Sequence, residues 1–311
     1  MTPMRGVLSP VLTPFRADLS VDVPRLAAQC RWLLAADVGL AIFGTNSEGN
    51  SISTSERSDV IAQLVADGID ATRMMPGTGA CALDDAVRLT RVAVQAGVGG
   101  VLVLPPFYYK GVSDDGLFAF FSELIERVGE PALRLYLYHI PPVAQVPLSL
   151  PLIERLLDRY GAVVAGIKDS GGQWANTAAL IERFASRGFA VFAGSETFLL
   201  PTLRAGGVGC ISATANVNPA AIAALARDFD APDVELRQAR LDTVRQVFAS
   251  LPMIAAMKQA MADATGLPDW RRLRPPLVEL DAVQREALSK AMALADFRIA
   301  IEPGAEPTRS D

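Results

Sequence analysis

Short runs of apolar, often β-branched residues alternate along the chain with longer segments in which apolar residues recur at helical spacing. This alternation is typical of parallel strands whose faces are covered by helices. Eight apolar runs predict strands, at residues 6–13, 39–44, 73–79, 100–106, 134–140, 163–169, 190–195 and 209–214. Eight parallel strands are the number that closes a barrel.

The longer segments predict one amphipathic helix after each strand. These helices span residues 23–36, 54–67, 83–96, 115–128, 150–159, 176–186, 196–205 and 219–229. Eight strand–helix units over about 230 residues match a (β/α)8 barrel in order and size. The predicted fold class is therefore α/β, a (β/α)8 TIM barrel, with a doubly wound open sheet as the alternative.

The strand pattern stops after about Asp230. Residues 232–248, 252–265 and 281–294 predict three further helices, so we expect a barrel over residues 1–230 and a C-terminal three-helix extension over 231–300. The apolar faces of these helices need a surface to cover, either the barrel or a neighbouring subunit. Residues 301–311 are expected to form a disordered tail.

Composition narrows the class of protein. Half of the 311 residues are hydrophobic, and the three cysteines lack the spacing of zinc ligands, as expected for reduced thiols of a cytoplasmic protein. The sequence shows neither the pattern of a signal peptide nor an apolar stretch of about 20 residues, so a membrane protein is not predicted. The net charge of −5, with dispersed arginines, argues against nucleic-acid binding. No metal or cofactor is expected.

In (β/α)8 barrels the reacting groups lie at the C-terminal ends of the strands. Lys168 occupies such a position and is one of only four lysines among 29 basic residues. Burial inside a barrel disfavours the charged ammonium and favours the neutral amine, which can attack a ketone. The alternative is a structural lysine paired with Asp169 or another carboxylate.

Other polar groups are predicted at the same end of the barrel. Tyr138 and His139 alternate on one strand, so only one faces the barrel axis, and Tyr138 is the better candidate for proton transfer. The loop "GTNSEG" offers backbone N–H groups and the hydroxyls of Thr45 and Ser47 to a carboxylate, or it is only a turn that caps the following helix. Glu48 is interpreted as a capping or inter-loop acid. A single histidine makes a Ser-His-Asp hydrolase unlikely on this scaffold.

Six segments in this order resemble one known family: "GTNSE", "PPFYY", "YHIP", "GIKDS", "AGSE" and "GGVGCISATANV". They are similar to the dihydrodipicolinate synthase and N-acetylneuraminate lyase family of pyruvate-dependent class I aldolases. The resemblance covers the whole barrel, and a three-helix extension is also usual there.

This resemblance implies roles for particular residues. Lys168 would form a Schiff base with pyruvate or a 2-oxo acid, Tyr138 would relay protons, and Thr45 would link Tyr138 to a tyrosine from a neighbouring subunit. That second tyrosine is matched by Tyr108, with Tyr109 as the alternative. The remaining expected substrate contacts are Asn46, Ile211, Ser47, His139, Tyr109 and Ser195. A homotetramer, built as a dimer of dimers, and no cofactor are also implied.

Departures from the family pattern bear on the substrate. Val143 stands where dihydrodipicolinate synthases carry an arginine, and an apolar side chain cannot pair with the carboxylate of an aldehyde partner. Asn46, Ser47 and His139 also differ from the usual residues. We therefore expect a Schiff-base lyase that acts on a 2-oxo-3-deoxy sugar acid or similar 2-oxo acid by aldol cleavage, condensation or dehydration.

Three alternatives remain from the residues alone. The first is 4-hydroxy-tetrahydrodipicolinate (dihydrodipicolinate) synthase proper. The second is a catalytically silent barrel that binds a 2-oxo acid. The third is a metal- or phosphate-dependent barrel enzyme, which is disfavoured because the strand ends carry no cluster of metal ligands.

Overall fold

Seven parallel strands form one curled sheet in the computed structural model, which describes residues 3–301 of the chain. The strands are β1 Gly6–Ser9, β2 Gly39–Leu40, β3 Val101–Val103, β4 Leu135–His139, β5 Val164–Asp169, β6 Ala190–Ala193 and β7 Gly209–Ile211. Their order in the sheet is β2-β1-β7-β6-β5-β4-β3, which leaves β2 and β3 at the two edges.

The segment predicted as a strand at residues 73–79 joins these two edges. Met74 forms a parallel bridge with Leu40 of β2, and Gly77 forms one with Leu102 of β3. The backbone N–H of Leu102 donates to the carbonyl of Pro76 at 2.9 Å. Because Pro76 has no N–H of its own, the ladder on this segment is short. The predicted (β/α)8 barrel is confirmed, with its third strand reduced to bridges.

Twelve α-helices lie within residues 3–301. They are α1 Val23–Ala35, α2 Thr54–Ala66, α3 Leu83–Gln95, α4 Asp114–Val128, α5 Pro141–Ala144, α6 Leu150–Tyr160, α7 Trp174–Phe184, α8 Leu199–Arg204, α9 Pro219–Arg227, α10 Val234–Ala249, α11 Met253–Thr265 and α12 Ala282–Leu294. Serine hydroxyls at Ser53, Ser113 and Ser149 accept backbone N–H groups at the starts of α2, α4 and α6.

Two helical segments differ from the sequence-based expectation. The predicted helix at 196–205 divides into a 3-10 turn at Glu196–Phe198 and the short helix α8. The helix α5, at Pro141–Ala144, was not predicted, because four residues are too few to show a helical period. Pro141 is tolerated there because the first turn of a helix leaves its N–H groups unbonded.

The N-terminal end of the barrel interior is filled by one aromatic ring. Tyr136 of β4 is fully buried, and a Cβ placed on Gly100 or Gly166 would lie 2.5 or 2.8 Å from its ring. Its hydroxyl accepts a hydrogen bond from the backbone N–H of Met4 at 2.8 Å. This packing closes the barrel at the end opposite to the C-terminal ends of the strands.

The C-terminal helices α10, α11 and α12 pack on the barrel. Their second apolar core joins Phe248, Met257 and Trp270 to Leu12 and Val217 of the barrel loops. The expected tail at 301–311 lies outside the described residues except for Ile301. In the described part of the chain, every helix is too short or too polar to span a bilayer.

Candidate active site

A buried lysine and a buried tyrosine face each other inside the barrel. Lys168 on β5 is 2% exposed and is the ladder partner of Tyr138 on β4, which is also 2% exposed. The Nζ of Lys168 donates to the Oη of Tyr138 at 3.2 Å and lies 4.4 Å from the centre of the tyrosine ring. Since ladder partners project to the same face of a sheet, both side chains point into the barrel.

Thr45 extends this pair to a third polar group. It begins a 3-10 turn at Thr45–Ser47, in the loop after β2, and its Oγ1 lies 3.3 Å from the Oη of Tyr138. The lysine nitrogen, the phenol and the threonine hydroxyl therefore form one line of hydrogen-bonding groups. Such a line can move a proton between a nitrogen at the barrel axis and the loop.

The backbone before Thr45 is held in an unusual conformation. Phe43 has a φ of 61°, in the left-handed region that non-glycine residues seldom occupy. A Cβ on either Gly49 or Gly77 would overlap the carbonyl of Phe43, so both positions require glycine. The direction of the chain into the Thr45 loop is therefore determined by close backbone packing.

The two residues after Thr45 differ in how far they are buried and hydrogen-bonded within the protein. Asn46 is half-buried. Ser47 is fully buried, its hydroxyl points to the carbonyl of Ala41 at 3.5 Å, and its own carbonyl accepts the hydroxyl of Thr13 at 2.7 Å. Asn46 is consequently more open to a ligand than Ser47.

Ile211 and Ser195 lie at the ends of neighbouring strands. Ile211 of β7 is fully buried in the same interior cluster as Tyr138. Ser195 follows β6, and its hydroxyl accepts the backbone N–H of Thr197 at 3.3 Å, which caps the 3-10 turn there. Ile211 therefore lies in the barrel interior with Tyr138, whereas the hydroxyl of Ser195 is hydrogen-bonded within the turn.

His139 lies on the opposite face of β4 from Tyr138. Its Nδ1 accepts the backbone N–H of Leu148 at 3.1 Å, and its Nε2 lies 3.9 Å from the Oδ1 of Asp169. The carboxylate of Asp169 accepts the hydroxyl of Thr177 at 2.6 Å. The structure thus separates His139 from the Lys168–Tyr138 pair, and its ring bonds to the loop before α6.

Burial lowers the pKa of His139 below its usual value of 6.5, although Asp169 opposes the shift. A histidine whose pKa is lower in the folded state than in the unfolded state decreases the free energy of unfolding once the pH falls below the unfolded-state pKa. We therefore expect the free energy of unfolding to decrease as the pH is lowered from about 6.5 to the folded-state pKa of His139. The decrease should be larger in the parent protein than in the variant His139→Asn. Denaturant unfolding measured across this range checks the difference. Parallel pH profiles for the two proteins would contradict it.

Two exposed tyrosines occupy the loop after β3. Tyr108 and Tyr109 are 75% and 65% exposed, and their rings pack edge to face with centres 5.4 Å apart. Lys110 donates to the carbonyl of Ala144 at 2.8 Å, which ties this loop to α5 beside the exposed Val143. Within residues 3–301, neither tyrosine is hydrogen-bonded to Thr45 or Tyr138. Both rings are available to another molecule.

Ser170 is a site residue that sequence reasoning missed. It lies two residues after Lys168, and alternation along the strand brings it to the same side. Its hydroxyl is buried and has no hydrogen-bond partner in the described part of the chain, while a Cβ on Gly194 would overlap it. Counting by two from Lys168 is the sequence signal that could have identified it.

A second buried lysine was also missed. The Nζ of Lys258 on α11 forms an ion pair with the Oε1 of Glu48, and both side chains are completely buried. Burial lowers the pKa of Lys258 to about 8, and Glu48 opposes the shift. The signal was a lysine among "MIAAMKQAM", a segment that is apolar on all sides.

A group of three His, Cys, Asp or Glu side chains with the spacing of a metal site is not found among residues 3–301. The groups that the structure brings together are the amine of Lys168 and the hydroxyls of Tyr138 and Thr45. These groups supply a nucleophile and a path for protons.

A barrel with a lysine buried at the C-terminal end of one strand can carry the chemistry of a class I aldolase. The sequence model of the Dihydrodipicolinate synthetase family matches residues 3–295. The chain belongs to this family, in agreement with the resemblance of its six motifs.

Individual relatives agree with this assignment. The chain is 34% identical over 297 residues to a protein of Chloroflexus aurantiacus named as an uncharacterized DapA-like lyase, a match that covers 94% of this chain and 97% of the relative. The crystal structure of dihydrodipicolinate synthase from Agrobacterium tumefaciens has a TM-score of 0.85 and 32% identity, covering 94% and 99% of the two chains. YagE, a prophage protein of the dihydrodipicolinic acid synthase family from E. coli K12 crystallised with pyruvate, has a TM-score of 0.85 and 28% identity over the same shares.

Proposed function

We propose that this lyase forms a Schiff base between Lys168 and a 2-oxo acid and cleaves or makes a carbon–carbon bond next to it. The line of Lys168, Tyr138 and Thr45 carries this proposal, because it unites a buried amine with two hydroxyl groups at distances of 3.2 and 3.3 Å. The crystal structure of YagE with pyruvate supports pyruvate as one product or reactant.

The reaction begins with the neutral amine of Lys168. Its lone pair adds to C2 of the 2-oxo acid, and the carbinolamine loses its hydroxyl as water to give an iminium ion. In the cleavage direction the C3–C4 bond breaks, its electron pair forms an enamine, and the C4 hydroxyl loses its proton to become the carbonyl of an aldehyde. Protonation at C3 and hydrolysis then release pyruvate and the free amine.

Each of these steps moves a proton near the lysine nitrogen. The hydroxyl of Tyr138 lies between the Nζ of Lys168 and the Oγ1 of Thr45, and can accept a proton from one side while it donates to the other. Condensation uses the same steps in reverse. In dehydration the C3–C4 bond stays intact: the iminium ion loses a proton from C3 to form the enamine, and the enamine expels the C4 hydroxyl, which takes up a proton and leaves as water.

The substrate class we propose is a 2-oxo-3-deoxy sugar acid or a similar 2-oxo acid with a hydroxyl at C4. Val143 on α5 is 61% exposed and cannot pair with a second carboxylate. A substrate whose carbon chain continues with uncharged hydroxyl groups needs no cationic partner at this position.

Pyruvate release from a panel of 2-oxo-3-deoxy acids tests this substrate class. We expect turnover of at least one sugar acid and little condensation of pyruvate with aspartate semialdehyde. Efficient condensation would instead favour the alternative function, 4-hydroxy-tetrahydrodipicolinate synthase. The 32% identity to the Agrobacterium synthase supports this alternative. If pyruvate and the other 2-oxo acids yield no borohydride-trapped adduct, the result would favour a catalytically silent barrel that binds a 2-oxo acid.

The variant Val143→Arg tests the role of this position. A new guanidinium in reach of the aldehyde's carboxylate is expected to raise kcat/KM for aspartate semialdehyde by about 10- to 100-fold, the effect of a charge-assisted hydrogen bond. Val143→Leu is the control, because it adds volume without charge. The role assigned to Val143 is wrong if the arginine variant does not exceed the leucine variant.

The proposed assembly is a homotetramer in which the exposed Tyr108, or Tyr109, reaches the site of a neighbouring subunit. The exposure of both rings supports this proposal, since large apolar side chains at a surface are typical of contacts between subunits. The molar mass in solution, measured by light scattering, tests it. The cytoplasmic location stays a prediction from the sequence.

A further inference from the structure

The C-terminal extension inserts a charged side chain beneath the loop that carries Thr45. Lys258 lies on α11 and Glu48 lies in the loop after β2, 210 residues away, yet both side chains are 0% exposed. Long charged side chains are seldom fully buried unless they are paired. The reaction proposed above makes no use of either group, so the pair needs a separate explanation.

Glu48 is bound by two parts of the extension at once. Its Oε1 accepts from the Nζ of Lys258, and its Oε2 accepts from the backbone N–H of Arg274 at 3.0 Å. Lys258 also donates to the carbonyl of Arg272 at 2.7 Å and lies 4.5 Å from the centre of the Phe15 ring. The carboxylate of Glu48 is therefore the point at which the extension holds this loop.

A continuous path of hydrogen bonds connects Glu48 to Lys168. The backbone N–H of Glu48 donates to the carbonyl of Thr45 at 3.2 Å, and the Oγ1 of Thr45 lies 3.3 Å from the hydroxyl of Tyr138. Tyr138 accepts from Lys168 at 3.2 Å. Movement of Glu48 would therefore change the position of Thr45 relative to Tyr138.

The backbone of Glu48 also needs support. Its φ of 56° lies in the left-handed region, which costs free energy for a residue with a side chain. Such a conformation persists only where the surroundings hold it. The two bonds to the carboxylate of Glu48 provide that hold.

We propose that Lys258 is a positioning residue, whose buried ion pair with Glu48 keeps the hydroxyl of Thr45 in reach of Tyr138. This inference depends on the proposed function in one respect, namely that Tyr138 and Thr45 relay protons. The C-terminal extension thereby becomes part of the site without touching the substrate. Loss of the pair leaves Lys168 in place and impairs proton transfer.

Two measurements on the full-length protein test this inference. The first is the exchange of the methyl hydrogens of pyruvate in D2O, followed by NMR, which reports enamine formation and gives a saturating rate and a half-saturating concentration. The second is amide hydrogen exchange in residues 44–51, followed by mass spectrometry. The second measurement requires no activity.

The variants are Glu48→Gln, Lys258→Met and their combination. Each single variant leaves one buried charge unpaired and is expected to be less stable, whereas the double variant removes both charges and recovers stability. In the double variant we expect the saturating exchange rate of pyruvate to fall by about 100-fold, as for a small displacement of a catalytic group, with a similar half-saturating concentration. We also expect amide exchange in residues 44–51 to be about tenfold faster.

Glu235→Gln is the matched control. Glu235 on α10 of the same extension binds Arg204 of the barrel helix α8 at 2.5 Å, and is not hydrogen-bonded to residues 44–51 within the described part of the chain. Its pyruvate exchange and the amide exchange of residues 44–51 should equal those of the parent. If the control is as slow as the double variant, or if the stable double variant keeps the parent's loop protection, the positioning role is wrong. A parent protein that exchanges no pyruvate hydrogens would instead refute the proposed reaction, and loop protection would still decide the role of Lys258.

Discussion

Replacement of Lys168 by arginine is expected to abolish the adduct that borohydride traps with pyruvate, and to lower turnover by about a thousandfold or more. Arginine keeps a positive charge in the same part of the barrel but stays protonated, so it cannot add to a ketone. The parent protein should gain the mass of a reduced pyruvate imine on a single peptide. Mass spectrometry of the intact and digested protein checks both results.

Lys290→Arg is the control for this substitution. Lys290 lies on α12, its side chain is 71% exposed, and it pairs with Glu286 at 2.6 Å. Its adduct and its turnover should match those of the parent. An adduct that persists in Lys168→Arg would move the covalent chemistry to another residue.

Replacement of Tyr138 by phenylalanine is expected to reduce turnover by about 10²- to 10⁴-fold, the usual effect of removing a general acid–base group. The ring and its packing remain, but the link from the Nζ of Lys168 to the Oγ1 of Thr45 is broken. The trapped adduct should still form, although more slowly, because Lys168 is intact. Steady-state turnover and the time course of trapping measure the two effects separately.

Tyr136→Phe provides a matched comparison on the same strand and the same face. Its hydroxyl accepts the backbone N–H of Met4 and lies at the closed end of the barrel. We expect a loss of about 0.5–1.5 kcal/mol in the free energy of unfolding, with parental turnover. Equal losses of turnover in the two variants would show that loss of either buried hydroxyl on β4 impairs the enzyme, and would contradict a specific role of Tyr138 in proton transfer.

The barrel could be predicted because its pattern is local. Each of the eight strand–helix units is recognisable from the spacing of apolar residues within 6–14 positions, and the order of elements then selects the fold. The lengths of the strands were less predictable. The run at 39–44 pairs regularly only at Gly39–Leu40, because the chain turns at Phe43 with a φ of 61°. Backbone packing against Gly49 and Gly77 causes that turn, and no single-residue preference indicates it.

The candidate site could also be predicted only in part. Alternation along a strand predicted that only one of Tyr138 and His139 faces the barrel, with Tyr138 as the better candidate, and it could have added Ser170. The burial of Glu48 with Lys258 could not be predicted, because it depends on where a helix of the extension meets a loop 210 residues earlier. Such a contact leaves no periodic signal in the sequence. The apolar surroundings of Lys258 indicated only that this lysine needed a partner.

The ladder between β4 and β5 has a consequence for how the molecule can diversify. Tyr138 and Lys168 are opposite each other in register, so the hydrogen bonds of the backbone set their separation. A slip of β5 by one residue would place Asp169 opposite Tyr138 and would turn Lys168 away from the barrel axis. Val143 lies on the separate helix α5, outside that ladder. Under the proposed function, mutations at Val143 change which aldehyde is accepted while Lys168 and Tyr138 keep their spacing, so that new specificities can evolve on an unchanged chemical centre.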